Sequence, residues 1–342
     1  MRIIPLLLIG CGRVGNALRG HLEAFNQKGG KLKFQVAAVV RRDRIEFEDG
    51  SVRQRYTSED WESILETAHD LRGRNPETVI VDVSDARTTV VHLRLVESGF
   101  TVVTANKRPP AHSIETFRRL TEAVDGRGHR SYWFEATVGA GLPVIRTVRE
   151  LVETGDRIVR LTATLSGTLN FLCDAHAAGM PFGKALADAR DRGLTEPDPR
   201  EDLLCRDVAR KAKILASLCG CWWQPEDAIA PVIPTALADL YGADFVEKAK
   251  SIEAWPEPWP EPGEPVEYVV RIKPTISGSS SIVGALRDRD PAHRPLEGAE
   301  NRFIIMTERN GQIPIEIRGP GAGAAVTATA VFGDLLRSLA RL

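Results

Sequence analysis

Six residues near the start of the chain, Gly10-Cys11-Gly12-Arg13-Val14-Gly15, place three glycines at the spacing G-x-G-x-x-G directly after the apolar run Leu6 to Ile9. In that setting each glycine has its own task. The first permits a tight turn, the second lets a pyrophosphate approach the backbone, and the third lets the following helix pack on the strand. The N-terminus of that helix also turns free N–H groups toward an anion. The loop, with Arg13 and Val14 inside it, predicts dinucleotide binding; a glycine-rich turn without a ligand is the plainer alternative. An acidic residue at the end of the second strand usually takes the ribose of NAD. Here that place is filled by Val40-Arg41-Arg42. A guanidinium can pair with a 2′-phosphate, so Arg41 and Arg42 favour NADP over NAD, against a reading as two solvated arginines.

A second chemical signal lies in the middle of the chain. Leu204, Val208, Ala212, Leu215 and Leu218 recur at helical spacing and form one apolar stripe. At about 100° per residue, Lys211 projects into the middle of that stripe and Asp207 falls one turn earlier at its edge. Arg206 and Lys213 point the other way. A lysine on a buried stripe is costly unless it is paired, and a carboxylate at i−4 can pair it. Two readings follow: an ion pair that merely survives burial, or a lysine in a substrate cleft that gives and takes a proton. Spacing does not separate them. Just upstream, Glu196-Pro197-Asp198-Pro199-Arg200-Glu201-Asp202 crowds carboxylates before the helix, and for Asp198 and Glu201 plain capping is the preferred reading.

The elements that position these groups alternate in the first third. Strands are predicted at Leu6 to Ile9, Phe34 to Val40, Val79 to Val83 and Thr101 to Thr104, with a polar turn at Ser84-Asp85 and helices between them. That rhythm is the pattern of a doubly wound parallel sheet. Beyond Tyr132 it changes. A strand near 158–165, helices around 180–193 and 203–219, and further strands near 266–273, 280–286, 301–308 and 313–317 predict an α+β region with a mixed sheet. Trp255 to Pro265 is rich in Pro, Trp and Glu and reads as an exposed loop. The expected division is a Rossmann-type dinucleotide-binding domain over 1–133, a second domain over 134–318, and a closing segment over 319–342. Lys plus Arg number 45 and Asp plus Glu 46, a net charge of −1. This gives no electrostatic footprint for nucleic acid or an anionic membrane. The first apolar run is too short to span a bilayer. The five cysteines are scattered without metal-ligand spacing, so the cytoplasm, small-molecule ligands and other copies of the chain are the expected setting.

Five blocks together resemble homoserine dehydrogenase: the Gly10 loop, Val103 to Lys107, Glu135 to Pro143, Leu165 to Phe171, and Glu196 through Asp202 and Asp207 to Lys211. A sixth, Gly319 to Gly323 followed by Val326-Thr327-Ala328, closes the chain. The resemblance implies NAD(P)-dependent interconversion of L-homoserine and L-aspartate 4-semialdehyde, on the route to threonine and methionine. It makes Lys211 the proton donor and Lys107 a second lysine near substrate and nicotinamide. It assigns Glu196, Asp202, Asp207 and Thr168 to the substrate. It assigns Ser84, Thr104, Lys107, Gly193 and Gly321, with the glycine loop, to the cofactor. Glu135 and the carbonyls of Val138, Ala140 and Leu142 match a site for sodium or potassium, with a glycine-rich hinge as the alternative. A homodimer is implied as well.

Some positions depart from the family pattern. Cys205 stands where glycine is common and Arg206 where an apolar residue is common; both changes are expected to be tolerated. Pro109-Pro110 should stiffen the loop after Lys107. No fused regulatory or kinase domain is expected. A related amino-alcohol dehydrogenase, or a cofactor sensor without chemistry, are the alternatives that kinetics would separate.

Overall fold

The computed structural model describes residues 1–55, 57, 60–125, 128–196, 198–221, 228–274, 281–290 and 294–340. The chain divides into two units, Met1–Ile145 with Gly323–Leu342, and Arg146–Ala322. The cuts suggested by sequence, 133 and 318, fall short of these because the Glu135–Ile145 segment and β13 each run past them.

The first unit is built on a seven-stranded sheet. Its strands are β1 (Arg2–Ile9), β2 (Leu32–Val40), β3 (Arg44–Phe47), β4 (Val52–Gln54), β5 (Val79–Asp82), β6 (Thr101–Thr104) and β7 (Tyr132–Trp133), in the order β4-β3-β2-β1-β5-β6-β7. From β2 to β7 all neighbours are parallel; β3 and β4 add an antiparallel edge. A strand buried on both faces must be apolar along its length, and Ile4, Leu6, Leu7 and Leu8 of β1 are each at most 1% exposed. Between the strands run α1 (Arg13–Gln27), α2 (Trp61–Arg74), α3 (Thr89–Glu97) and α4 (Ile114–Thr121), and α5 (Val144–Glu153) leads on into the second unit. The β3–β4 hairpin has no counterpart among the predicted strands: Arg44-Ile45-Glu46-Phe47 alternates polar and apolar, but over four residues only, and β4 adds three.

The second unit carries β8 (Ile158–Thr164), α6 (Gly167–Ala177), α7 (Phe182–Asp191), α8 (Arg200–Leu203), α9 (Arg206–Leu218), β9 (Ala228–Ile229), α10 (Gly242–Lys250), β10 (Val266–Lys273), β11 (Ser281–Asp288), β12 (Glu300–Thr307) and β13 (Ile315–Pro320). Its sheet runs β13-β12-β8-β10-β11-β9 and is mixed, antiparallel except for the β11–β9 pair. Central β8 sets Ala163 between Phe303 and Val270, all three buried. The last helix, α11 (Ala324–Leu339), belongs to the first unit, where Phe332 meets Phe25 and Phe34 at ring distances of 5.3 and 5.8 Å.

Two expectations are corrected, and the stretch after Ser166 adds helix α6. Trp255 to Pro265 is not an exposed loop throughout: Trp255 and Trp259 are buried, with ring contacts to each other and to His176. Burial of two indoles outweighs the polar, proline-rich composition around them. The helix predicted over 203–219 is two, α8 and α9, broken at Cys205, which has φ +54° and is 1% exposed. The left-handed conformation explains why glycine is common at this position. A β-branched residue fits that conformation poorly. Cys205→Val is therefore expected to cost about 2 kcal/mol, read as a lower Tm, and a Tm at the wild-type value would show the backbone relaxes freely there.

Candidate active site

Two groups of residues matter, one in each unit. In the first unit, Gly10 has φ +94°, and a Cβ there would lie 2.9 Å from the Ser84 nitrogen. A Cβ on Gly15 would stand 2.6 Å from the Gly10 carbonyl oxygen. Both glycines are required by close backbone approach. At Gly12 a Cβ would meet none of the described atoms within 4 Å, so the room in front of it is open to a ligand. Gly12 is also the N-cap of α1, and Arg13 and Val14 open the helix. This is the cradle a pyrophosphate needs.

Beside the loop lies a cavity of about 520 Å³ whose lining includes Gly10, Arg41, Arg42, Trp61, Ser84 and Arg87. Arg41 pairs with Glu46 at 2.7 Å, while Arg42 is exposed. Sequence reasoning missed Arg55, Trp61 and Arg87, which reach the cavity from just beyond β4, from α2 and from the loop before α3.

Behind the cavity, Asp82 ties two loops together. Its Oδ1 accepts from the Ser84 amide at 2.9 Å and the Ser84 hydroxyl at 2.7 Å. Its Oδ2 accepts from Thr88 Oγ1 at 2.7 Å and Asn106 Nδ2 at 3.0 Å, and lies 2.9 Å from His92 Nε2. Asp82 and His92 are fully buried, and the pairing with His92 helps hold the Asp82 carboxyl below its ordinary range, against burial, which is the largest effect and pushes it up. Thr104 is buried too, its hydroxyl donating to the Asp82 carbonyl and accepting from the Asn106 amide. It therefore shapes the loop that carries Lys107, a half-buried residue.

Glu135 is 4% exposed, and its Oε1 accepts from the Ile145 amide at 2.9 Å. In the loop that follows, Gly139 and Ala140 both take left-handed φ, +75° and +51°. For alanine this conformation carries about 1 kcal/mol of strain or more.

In the second unit, Val208, Ala212 and Leu215 of α9 are buried as the periodicity predicts, and Lys211 is buried among them at 9% exposure. Its Nζ lies 2.9 Å from Asp207 Oδ2 and donates to the Leu165 carbonyl at 2.8 Å. Arg206 is exposed and Lys213 half-buried. Asp202 sits at the centre of a second cluster. Thr168 Oγ1 lies 2.9 Å from its Oδ1 and 2.7 Å from the Leu194 carbonyl, and the Glu196 amide donates to its Oδ2 at 2.8 Å. Pro197, within the same motif, lies outside the described residues. Gly193 (φ +67°) ends α7, and Gly321 packs so closely on Asn301 that a Cβ there would lie 2.0 Å from the Asn301 Cγ.

Burial pushes the Asp202 carboxyl up to about 6, with the charges of Glu196 and Asp207 adding to the effect. Three carboxylates thus gather with one lysine, an excess of negative charge that favours an ammonium group. Because the folded value is raised, the carboxylate that accepts from Glu196 and Thr168 is lost as the pH falls through about 6. Substrate kcat/KM is therefore expected to fall below that pH by up to about tenfold per unit. In Asp202→Asn, less active throughout, this limb should be missing; a limb that persists would assign it to another group.

The family models that match describe the NAD-binding domain of homoserine dehydrogenase, over residues 10–133, and homoserine dehydrogenase itself, over residues 143–336. Homoserine dehydrogenase of Paracoccidioides brasiliensis is 36% identical, covering 77% of this chain and 75% of its own length. The chloroplastic bifunctional aspartokinase/homoserine dehydrogenase 2 of Zea mays is 35% identical over 77% of this chain, which spans only 29% of that longer protein. Among solved structures, a hyperthermophilic archaeal homoserine dehydrogenase in complex with NADPH has the same fold, with a TM-score of 0.73, 21% identity, and coverage of 99% of this chain and 98% of that one.

Proposed function

The chain belongs to the homoserine dehydrogenase family, and from that premise we propose that it interconverts L-homoserine and L-aspartate 4-semialdehyde, with NADP as hydride carrier. The observation that carries this reading is Lys211, buried on an apolar helix face and held between Asp207 and the Leu165 carbonyl. A reduced nicotinamide, when bound, would supply the hydride for the aldehyde carbon. The chain supplies the proton: the Lys211 ammonium gives it to the carbonyl oxygen as the new C–H bond forms, and the amine regains one from solvent. Asp207, 2.9 Å from Nζ, fixes its direction. Lys107 serves as the second cation, stabilising negative charge on that oxygen. Glu196, Asp202 and Asp207 take the substrate's ammonium group, with Thr168 ordering Asp202.

The open space before Gly12 and the arginine-lined cavity support NADP as the dinucleotide. Ser84, Gly193 and Gly321 join the cofactor set, and Thr104 acts through the loop it shapes. Glu135 with the carbonyls of Val138, Ala140 and Leu142 is assigned to a sodium or potassium ion. One buried carboxylate among backbone carbonyls is a hard-oxygen donor set. The Leu142 carbonyl accepts one hydrogen bond, from Val144, and keeps a lone pair for an ion. We assign the ion a structural role. A homodimer in the cytoplasm completes the proposal; among the described residues no helix is long and apolar enough to cross a membrane.

The deciding experiment is NADPH oxidation with L-aspartate 4-semialdehyde beside the semialdehyde one methylene longer. A preference for the shorter substrate is expected. A preference for the longer would move the function to a related amino-alcohol, and NADPH binding without turnover of either would leave a sensor.

A further inference from the structure

The arginines around the cavity in the first unit differ in what holds them. Arg41 is taken by Glu46, and Arg108 forks onto Asp85, with Nε and Nη2 each 3.1 Å from one oxygen. Arg42 and Arg87 are exposed and form no side-chain hydrogen bond or ion pair with a described residue. Arg55, just beyond β4, is unlike all of these. It is 8% exposed, and its Nη1 donates to the carbonyls of Arg41 at 2.7 Å and Arg42 at 3.3 Å. Its own amide donates to the carbonyl of Asp43 at 2.9 Å. Every carbonyl of the link between β2 and β3 is therefore held by this one residue. Its Nη2 is anchored on the Asp60 carbonyl at 3.0 Å, and its guanidinium carbon lies 6.0 Å from the centre of the Trp61 ring.

Burying a guanidinium is costly, and burial holds Arg55 below the ordinary arginine range although the Asp60 charge acts the other way. What it secures is the backbone course of Arg41–Asp43, and hence the place of Arg42 on the cavity wall. We propose that Arg55 is a positioning residue for cofactor selectivity: it locks this link so that Arg42 meets the 2′-phosphate of a nicotinamide dinucleotide, and does not itself touch that phosphate. The inference rests on the NADP reading above. A guanidinium–phosphate pair depends on a forked geometry, and a link whose Arg41 and Arg42 carbonyls lose their side-chain anchor would sample more backbone states.

The test is equilibrium binding of NADPH and NADH to the full chain, followed by nicotinamide fluorescence, in a double-mutant cycle of Arg42→Ala and Arg55→Met. Arg42→Ala is expected to weaken NADPH by about thirtyfold and NADH by less than about twofold. Arg55→Met should weaken NADPH by about tenfold and NADH by less than about threefold, and in the Arg42→Ala background should add no NADPH-selective loss. Arg55→Lys keeps a charge but has no second nitrogen to hold the Asp60 carbonyl as well as those of Arg41 and Arg42; it should show the same selectivity change, smaller, with NADH affinity reporting an intact fold. Equal losses for both dinucleotides in Arg55→Met would overturn the proposal. So would a selective loss that persists without Arg42, because Arg55 would then touch the phosphate directly. A wild type that binds both dinucleotides alike would overturn the NADP reading itself, and the proposal with it.

Discussion

Lys211→Ala is expected to lower kcat for semialdehyde reduction at least about a hundredfold while leaving NADPH affinity within about twofold, the low end for removal of a general acid. The size of the effect follows from the site. Lys211 is the buried ammonium of α9, and Asp207 and the Leu165 carbonyl aim it. No water can take over its geometry in the mutant without being held by the same two partners. Asp207 keeps 38% of its side chain exposed, so it can be solvated once its partner is gone, and the fold should survive. Lys211→Met fills the space with a residue of similar length; equal losses in the two variants would show that the proton, and not packing, is what was removed. Turnover within about tenfold of the wild type would move the proton transfer to another group, with Lys107 next in line.

The second large effect is expected at the glycine loop. In Gly15→Ala the new methyl must displace the Gly10 carbonyl from 2.6 Å. Backbone on both sides leaves little room to yield, so a loss of about 1–3 kcal/mol in stability should accompany a loss of at least about tenfold in NADPH affinity. Gly12→Ala provides the contrast. Its methyl meets no described atom within 4 Å, so its Tm should stay near the wild-type value while NADPH affinity falls, because the space it fills is the pyrophosphate's. An unchanged affinity in Gly12→Ala would mean the dinucleotide does not cross there.

Much of this is legible in the amino-acid sequence, and the reasons differ by residue. The parallel strands announced themselves because burial on both faces demands unbroken apolar runs such as Leu6 to Ile9. Lys211 stood out because helical geometry alone puts it on the apolar stripe. Its pairing with the Leu165 carbonyl did not, since a backbone partner 46 positions away leaves no trace in composition. Arg55 was invisible for the same reason: its partners are carbonyls, which every residue has. The Asp82–His92 pair was equally hidden, since β5, α3 and the Lys107 loop must pack before those side chains meet. The break at Cys205 left only an indirect sign, a departure from a common glycine, and its meaning came from φ. Trp255 and Trp259 misled because proline and glutamate around them outvoted two residues that seldom stay in water.

The first unit is discontinuous, residues 1–145 being completed by α11. During synthesis, then, the opening sheet emerges early but must wait until the second unit has been made before Ala328, Val331 and Leu335 fill its core. The later unit, contiguous from 146 to 322, has all its strands available sooner. Maturation should therefore run against the order of translation, with the nucleotide cradle the last part to close. A nascent chain stalled before α11 would leave Phe25 and Phe34 without their partner Phe332, an apolar surface suited to capture by a chaperone.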